Sequence, residues 1–345
     1  AETQLALRAA DAAVVVVDAV AGVEVQTEKV WEFCDEYSLP RIIVINKMDR
    51  DNASSERSMA SLEESFGRGA VAVQIPMGSE KDFTGVISII SNKAYKYARD
   101  GSGKFQEEEI PAEYKDEVAA RREKLIEMVA EGSDALMEKF FAEGTLEQAD
   151  LVEGLKAAVL QRSIFPVFYA SATLNIGIAQ ILDGAIDLLP SPAAVGKVTG
   201  MDPKTKEPVE RSIASTEPYA AYVFKTIADP FAGRISLIKL YSGIMRSDST
   251  YNNQSKGKPE KLGPLQIPQG KTMIPVGEVH AGDFFAVTKL RETTTGDTLC
   301  DPSAPIIFPS VDIPEPSMTF AIEPKSRGDE DKISNALARI AEYYD

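Results

Sequence analysis

The tetrapeptide-long run Ile42-Ile43-Val44-Ile45, entered through Arg41, passes without a linker into Asn46-Lys47-Met48-Asp49. A β-branched run with no polar alternation has no face to give to water. It therefore predicts an interior strand of a parallel sheet covered by helices on both sides. In open α/β sheets the residues just past the carboxyl end of such a strand face the ligand crevice. Asn46, Lys47 and Asp49 fall at that place.

Their chemistry suits guanine. The base offers two adjacent donors, a ring N–H and an exocyclic amine, and an ionised carboxylate such as Asp49 accepts both. Adenine lacks this donor pair, and a site built around a polar partner rejects the analogue without it by roughly 10⁴ or more. Asn46 can donate to the base edge or tie neighbouring loops together. The stem of Lys47 can lie along the base while its ammonium stays in water. The same residue types also serve an ordinary strand-to-helix turn, with Asn and Asp in turn and capping roles. A second run, Pro166-Val167-Phe168-Tyr169-Ala170, ends in Ser171-Ala172-Thr173. A backbone N–H there can meet the guanine carbonyl; alternatively Ser171 or Thr173 caps a helix.

The rest of the chain reads as several units. Ala13–Val17 is a strand run, residues 26–37 carry Val30, Phe33, Cys34 and Tyr37 at helical spacing, and Pro40 ends that connection. This is a βαβ rhythm. From about 67 to 162 it changes to short strands (71–75, 86–90, 93–97) followed by two or three acidic helices. The helix from Ala112 is expected to align Val118, Leu125, Met128 and Val129, and Thr145 to cap the helix ending at Leu160. A helix 178–188 closes the domain, and residues 193–212, rich in turn formers, read as a linker. Short strands with Gly and Pro turns over 213–310 suggest a closed antiparallel barrel. A third unit starts at 311, with a strand at 318–322 and a helix capped by Asp329 or Asp331.

Composition excludes several functions. The 345 residues carry 37 Lys+Arg against 53 Asp+Glu, a net charge of −16, which opposes bulk attraction to nucleic acid and argues against DNA binding. Residues 104–153 hold fifteen Asp/Glu and six Lys/Arg, a net of −9, read as solvated helix faces. No apolar run is long enough to span a membrane and no secretory signal is evident. One histidine and two cysteines, Cys34 and Cys300, leave no metal cluster, and a reducing cytoplasm fits. Arg99-Asp100-Gly101-Ser102-Gly103-Lys104-Phe105 nearly spells a phosphate loop, but Phe105 has no hydroxyl for Mg²⁺, so the stretch reads as a surface turn.

Together the two loops resemble the fourth and fifth guanine-nucleotide motifs of translational GTPases, and the wider chain resembles the elongation factor G family. Further matches are Asp18-Ala19-Val20-Ala21-Gly22-Val23, Phe83-Thr84-Gly85-Val86-Ile87, Leu188-Leu189-Pro190-Ser191-Pro192, Ala228-Asp229-Pro230-Phe231-Ala232-Gly233-Arg234, Thr295-Gly296-Asp297-Thr298-Leu299 and Ala321-Ile322-Glu323-Pro324-Lys325. The resemblance implies an α/β fold: a partial P-loop GTPase domain over 1–192 with an inserted α+β subdomain, the β-barrel domain, and the start of an α+β third domain. It implies guanine-nucleotide contacts at Asn46, Lys47, Asp49, Ser171 and Ala172, a GTP/GDP and Mg cofactor in the parent, and a ribosomal setting. There the inserted subdomain would face the stalk protein and the barrel would face ribosomal RNA, with Arg234 and Lys239 as contacts. The segment 261–271 departs from the family's commonest members and looks more like a paralogous branch. The family's phosphate loop and both switches are not in this sequence, so no catalytic residue is expected in it and nucleotide binding is expected to be weak or absent. The Ala13–Val17 edge is then expected to be exposed and to associate. Alternatives are a ribosomal-protection or release-factor GTPase, and a non-enzymatic ribosome- or stalk-binding module.

Overall fold

The computed structural model describes residues 2–229, 233–311, 318–324, 326, 329, 332–334, 336, 337 and 340. The chain divides into two compact units, Ala10–Pro190 and Ala1–Ala9 with Ser191–Asp345. Helix α1 (Glu2–Ala9) thus groups with the second unit.

In the Ala10–Pro190 unit, β1 (Ala13–Asp18), α2 (Val25–Glu36), β2 (Arg41–Asn46), α3 (Ser55–Phe66) and β3 (Ala70–Ala72) alternate as the βαβ rhythm predicts. An inserted antiparallel sheet follows: β4 (Gln74–Met77), β5 (Gly85–Ser88), β6 (Lys93–Tyr97) and β7 (Phe105–Glu108). Then come α4 (Lys115–Ala130), α5 (Asp134–Glu143), α6 (Gln148–Leu160), β8 (Phe165–Tyr169) and α7 (Ile178–Leu188). The main sheet has the order β1-β2-β8-β3 and is parallel throughout. β2 lies between β1 and β8, and every residue from Arg41 to Ile45 is buried, as its unbroken apolar run requires. Two apolar clusters cover its faces: Ile42 and Val44 pack toward α4 and α6, Ile43 and Ile45 toward Trp31 and Leu62.

β1 is an edge strand whose outward residues Val14 and Val16 are exposed, as are Leu182 and Ile186 on α7. The capping expected of Thr145 does not occur: α6 starts at Gln148 with Glu147 at its N-cap and no side-chain bond there. Ser54 does cap α3, its Oγ accepting the Arg57 N–H at 3.2 Å.

In the second unit, β9 (Lys197–Met201) and β10 (Pro208–Ser212) form a hairpin in the stretch that reads as a linker. The turn formers at 202–207 close a hairpin because Val198 and Val209 find an apolar cluster to cover. The remaining strands are β11 (Ala220–Asp229), β12 (Gly233–Ser242), β13 (Ile244–Arg246), β14 (Thr250–Asn253), β15 (Lys258–Lys261), β16 (Leu265–Gln269), β17 (Thr272–Val276), β18 (Glu278–His280), β19 (Phe284–Thr288) and β20 (Thr298–Cys300). Eight of them make one antiparallel sheet, β15-β14-β20-β11-β12-β19-β16-β17, with β13-β18 as a separate ribbon. Residues from near both ends of that sheet, Tyr251 and Leu265, share one cluster with Val223, Ile238, Phe285 and Leu299. A flat sheet could not bring its ends to one core, so the sheet wraps as a barrel does.

Tyr222 points to the opposite face, where it meets Phe308 and Tyr241 and where the Arg8 guanidinium of α1 lies 5.0 Å above its ring. The expected strand at 318–322 is not formed; those residues are irregular, with Met318, Phe320 and Ile322 exposed. Residues 332–334, 336, 337 and 340 are helical, and the Ile333 N–H donates to the Asp329 carbonyl. Asp331, the other expected cap, lies outside the described residues, as do Pro230–Ala232.

Candidate functional site

The parallel register sets Asp18 opposite Asn46, so β1 and β2 end together. β8 lies on the other side of β2, pairing Tyr169 with Ile45. The three loops beyond these strand ends therefore share one rim, where ligands of open α/β sheets sit. Residues 126 apart in sequence meet there: the Ala172 N–H donates to Asn46 Oδ1 at 3.0 Å. The Met48 N–H donates to the Ala170 carbonyl at 3.1 Å, a second tie between the loops. Of the two roles open to Asn46, joining neighbouring loops is the one this geometry displays.

Lys47 sits at φ +66°, a left-handed conformation that costs a non-glycine residue free energy and often marks functional turns. Its Nζ lies 2.5 Å from Asp18 Oδ2. Asp18 Oδ1 accepts the Val20 N–H at 2.8 Å. Burial pushes the Asp18 carboxyl up, but the Lys47 bond and the Val20 and Ala21 N–H groups outweigh it, so its pKa falls below the ordinary aspartate value. Met48 is fully buried, which fixes the loop between the two polar residues that flank it. Asp49 is half-buried, and among the described residues no hydrogen bond or ion pair engages its carboxylate.

The second loop is closed on itself. Ser171 and Ile176 exchange two backbone bonds of 3.0 Å each, and buried Ser171 accepts the Leu174 N–H on its Oγ at 3.2 Å. Gly177 makes the exit at φ +80°, where an added Cβ would stand 2.4 Å from the Tyr169 carbonyl oxygen. Ser171 and Ala172 thus spend their N–H groups within the protein; that of Thr173 makes no bond among the described residues. The sequence suggests only a capping role for Thr173, and no local pattern separates its N–H from its neighbours'.

Residues 1–191 match the family model for the elongation factor Tu GTP-binding domain, and residues 218–302 match that for elongation factor G domain 2. The chain belongs to the translational GTPases of the elongation factor G type. A crystal structure from Thermus thermophilus, that of ttk003000868, superposes on it with a TM-score of 0.84 at 28% identity. That match covers 99% of this chain and 48% of the other, so the chain spans about half the length of its structural relative.

Other residues of this elongation-factor-type chain take different roles from those the sequence suggests. Lys239 is fully buried with its Nζ 2.8 Å from the Gly282 carbonyl and 4.2 Å from the Phe284 ring centroid, so it is not a surface contact for RNA. Strand alternation alone does not reveal this, because both faces of β12 are covered. The phosphate-loop-like stretch 98–104 is the β6–β7 turn, with glycines 101 and 103 at positive φ. Cys34 and Cys300 are both free and buried, and burial raises each thiol's pKa. Among the described residues no group of three or more His, Cys, Asp or Glu is placed to hold a metal ion. No helix among them is long and apolar enough to cross a membrane.

Proposed function

We propose that this chain supplies the guanine-recognition corner of a GTPase that works on the ribosome during translation elongation. The observation that carries the reading is the joined pair of loops, in which Asn46 holds Ala172 while the Asp49 carboxylate stays unengaged beside them. On this reading Asp49 accepts the two guanine donors, the Lys47 stem lies along the base, and an N–H of the 171–173 loop meets the guanine carbonyl. Bound nucleotide would bring its phosphates and magnesium. No residue of this chain is assigned to either, nor to positioning an attacking water, so hydrolysis by this chain alone is not expected. Ribosome-stimulated phosphate release from GTP by this chain would overturn that assignment.

The deciding test is Asp49→Asn. Xanthine carries an oxygen where guanine carries its amine, so an amide donor at position 49 suits it. Titrated by NMR, the unaltered chain should prefer guanosine to xanthosine and the variant should reverse the order. Unaltered base selectivity would remove Asp49 from the site. The partner side of the proposal rests on α4, whose Glu123 and Glu127 are exposed. They offer an acidic face to the ribosomal stalk. Charge reversal at both positions should weaken binding of stalk protein in a titration; equal binding counts against that partner. A cytoplasmic location follows from this role.

A further inference from the structure

The inserted subdomain touches both loops of the proposed base site, through separate contacts. At the Asn46–Asp49 loop, the Glu80 N–H donates to the Met48 carbonyl at 2.9 Å, and Glu80 Oε1 accepts the Asn52 N–H at 2.7 Å. Glu80 holds φ +53° and Asn52 φ +67°, so two left-handed residues are kept in register by this exchange. The Met48 side chain is buried in a cluster that includes Phe83, Val86 and Tyr97 of the insert. At the Ser171–Gly177 loop, the Tyr97 phenol donates to Gln180 Oε1 in the first turn of α7. The β6–β7 turn rests on the same loop: an added Cβ at Gly103 would stand 2.4 Å from Asn175 Nδ2.

We infer that Glu80, Tyr97 and Gly103 are positioning residues for base recognition, and that the insert acts as a strut holding the two guanine-reading loops at a fixed separation. The inference rests on the base-site reading above. A hydrogen-bonded pair of loops can read a rigid base only if their spacing is set before the base arrives, because ordering on binding is subtracted from affinity. The strut meets each loop close to its reading groups, Glu80 at Met48 and Asn52 and Gly103 at Asn175, and Tyr97 adds a hold at Gln180, just past the exit of the second loop. It reaches the proposed base contacts only through those loops.

The test uses Tyr97→Phe, which removes only the hydroxyl, with Glu80→Ala and Gly103→Val. Guanosine binding is followed by NMR shifts at residues 46–49 and 171–173, and amide hydrogen exchange is followed along the chain. Tyr97→Phe should weaken guanosine about fivefold and quicken exchange at Leu174 and Ile176 by a similar factor. Gly103→Val should weaken guanosine about tenfold or more, because its side chain and Asn175 cannot share the space. Glu80→Ala should quicken exchange at Asn52. Exchange at Ile43, Ile45 and Val167 in the sheet should stay unchanged. Equal guanosine affinity and equal loop exchange in all three variants overturns the inference. Faster exchange throughout the sheet also overturns it, since that assigns a structural role only. Guanosine that shifts no loop amide in the unaltered chain, while the variants still quicken loop exchange, overturns the base-site reading and leaves the strut in place.

Discussion

Arg41 stands at the start of the strand that carries the base loop, and its replacement by Lys should cost more than its replacement by Met. Its side chain is fully buried. The guanidinium lies 4.2 Å from the Trp31 ring centroid and 4.9 Å from that of Phe165, donates from Nη1 to the Trp31 carbonyl at 3.1 Å, and pairs through Nη2 with Asp35. Each desolvated ring contributes about 1–2 kcal/mol, and the charged donor on a carbonyl about 1.5 kcal/mol or more. The Asp35 side chain is 57% exposed, so the ion pair contributes at most about 1 kcal/mol. Against these gains stands the desolvation of a buried cation, several kcal/mol. Arg41→Lys keeps a buried charge but loses the planar fork that stacks on one ring and spans two acceptors, so it should destabilise by about 2–4 kcal/mol. Arg41→Met removes gain and cost together and leaves one carbonyl without its donor, about 1–2 kcal/mol. Trp31 is the sole tryptophan and also stacks on Phe66 at 3.9 Å, so its fluorescence reports the site directly during urea unfolding. A Lys variant as stable as the parent, or more stable than the Met variant, would refute the argument that fork geometry outweighs charge here.

Three further outcomes follow from named contacts. Gly177→Ala must move away from the Tyr169 carbonyl and hold φ +80°; it should destabilise the unit by about 2–4 kcal/mol and spread the 171–176 loop, read as lower thermal stability and faster Ile176 amide exchange. Asp18 has a folded pKa depressed below its unfolded value, so its contribution is present above about pH 4 and is lost as pH falls through the folded value. Both side chains of its Lys47 pair remain partly exposed, which limits the effect to about 1 kcal/mol or less. Asp18→Asn should therefore narrow the gap to the parent in unfolding experiments at pH 3 relative to pH 7, and an equal gap at both would refute the linkage. The exposed Val14 and Val16 of the edge strand should drive self-association, so Val14→Lys with Val16→Lys should lower the mean mass seen in light scattering; a monodisperse monomer before substitution removes the premise.

Whatever depends on neighbours along the chain is legible in the residue order. An apolar run of β-branched residues specifies an interior parallel strand, because its backbone direction and its two covered faces are local consequences of residue type. The order of motifs marks the elongation factor G type family, and Asn46 to Asp49 mark the ligand end of their strand by residue type alone. Helix 178–188 and strand 93–97 are legible for the same reason, their patterns being complete within a few residues.

Which of those residues meet depends on the tertiary fold. Asn46 reaches Ala172 only because β8 inserts beside β2 in the sheet, and Lys47 reaches Asp18 only because β1 lies on the other side. Glu80 and Tyr97 give no signal along the chain, since their partners lie 28 and 83 residues away and a Glu or Tyr in an antiparallel insert has many ordinary uses. Lys239 reads as a surface cation until two covered faces leave it none, and 197–212 reads as a linker until an apolar cluster gives Val198 and Val209 something to bury against. Periodicity encodes which face of an element is apolar. What that face meets is set by sheet order and by the docking of the insert, and these are properties of the whole chain.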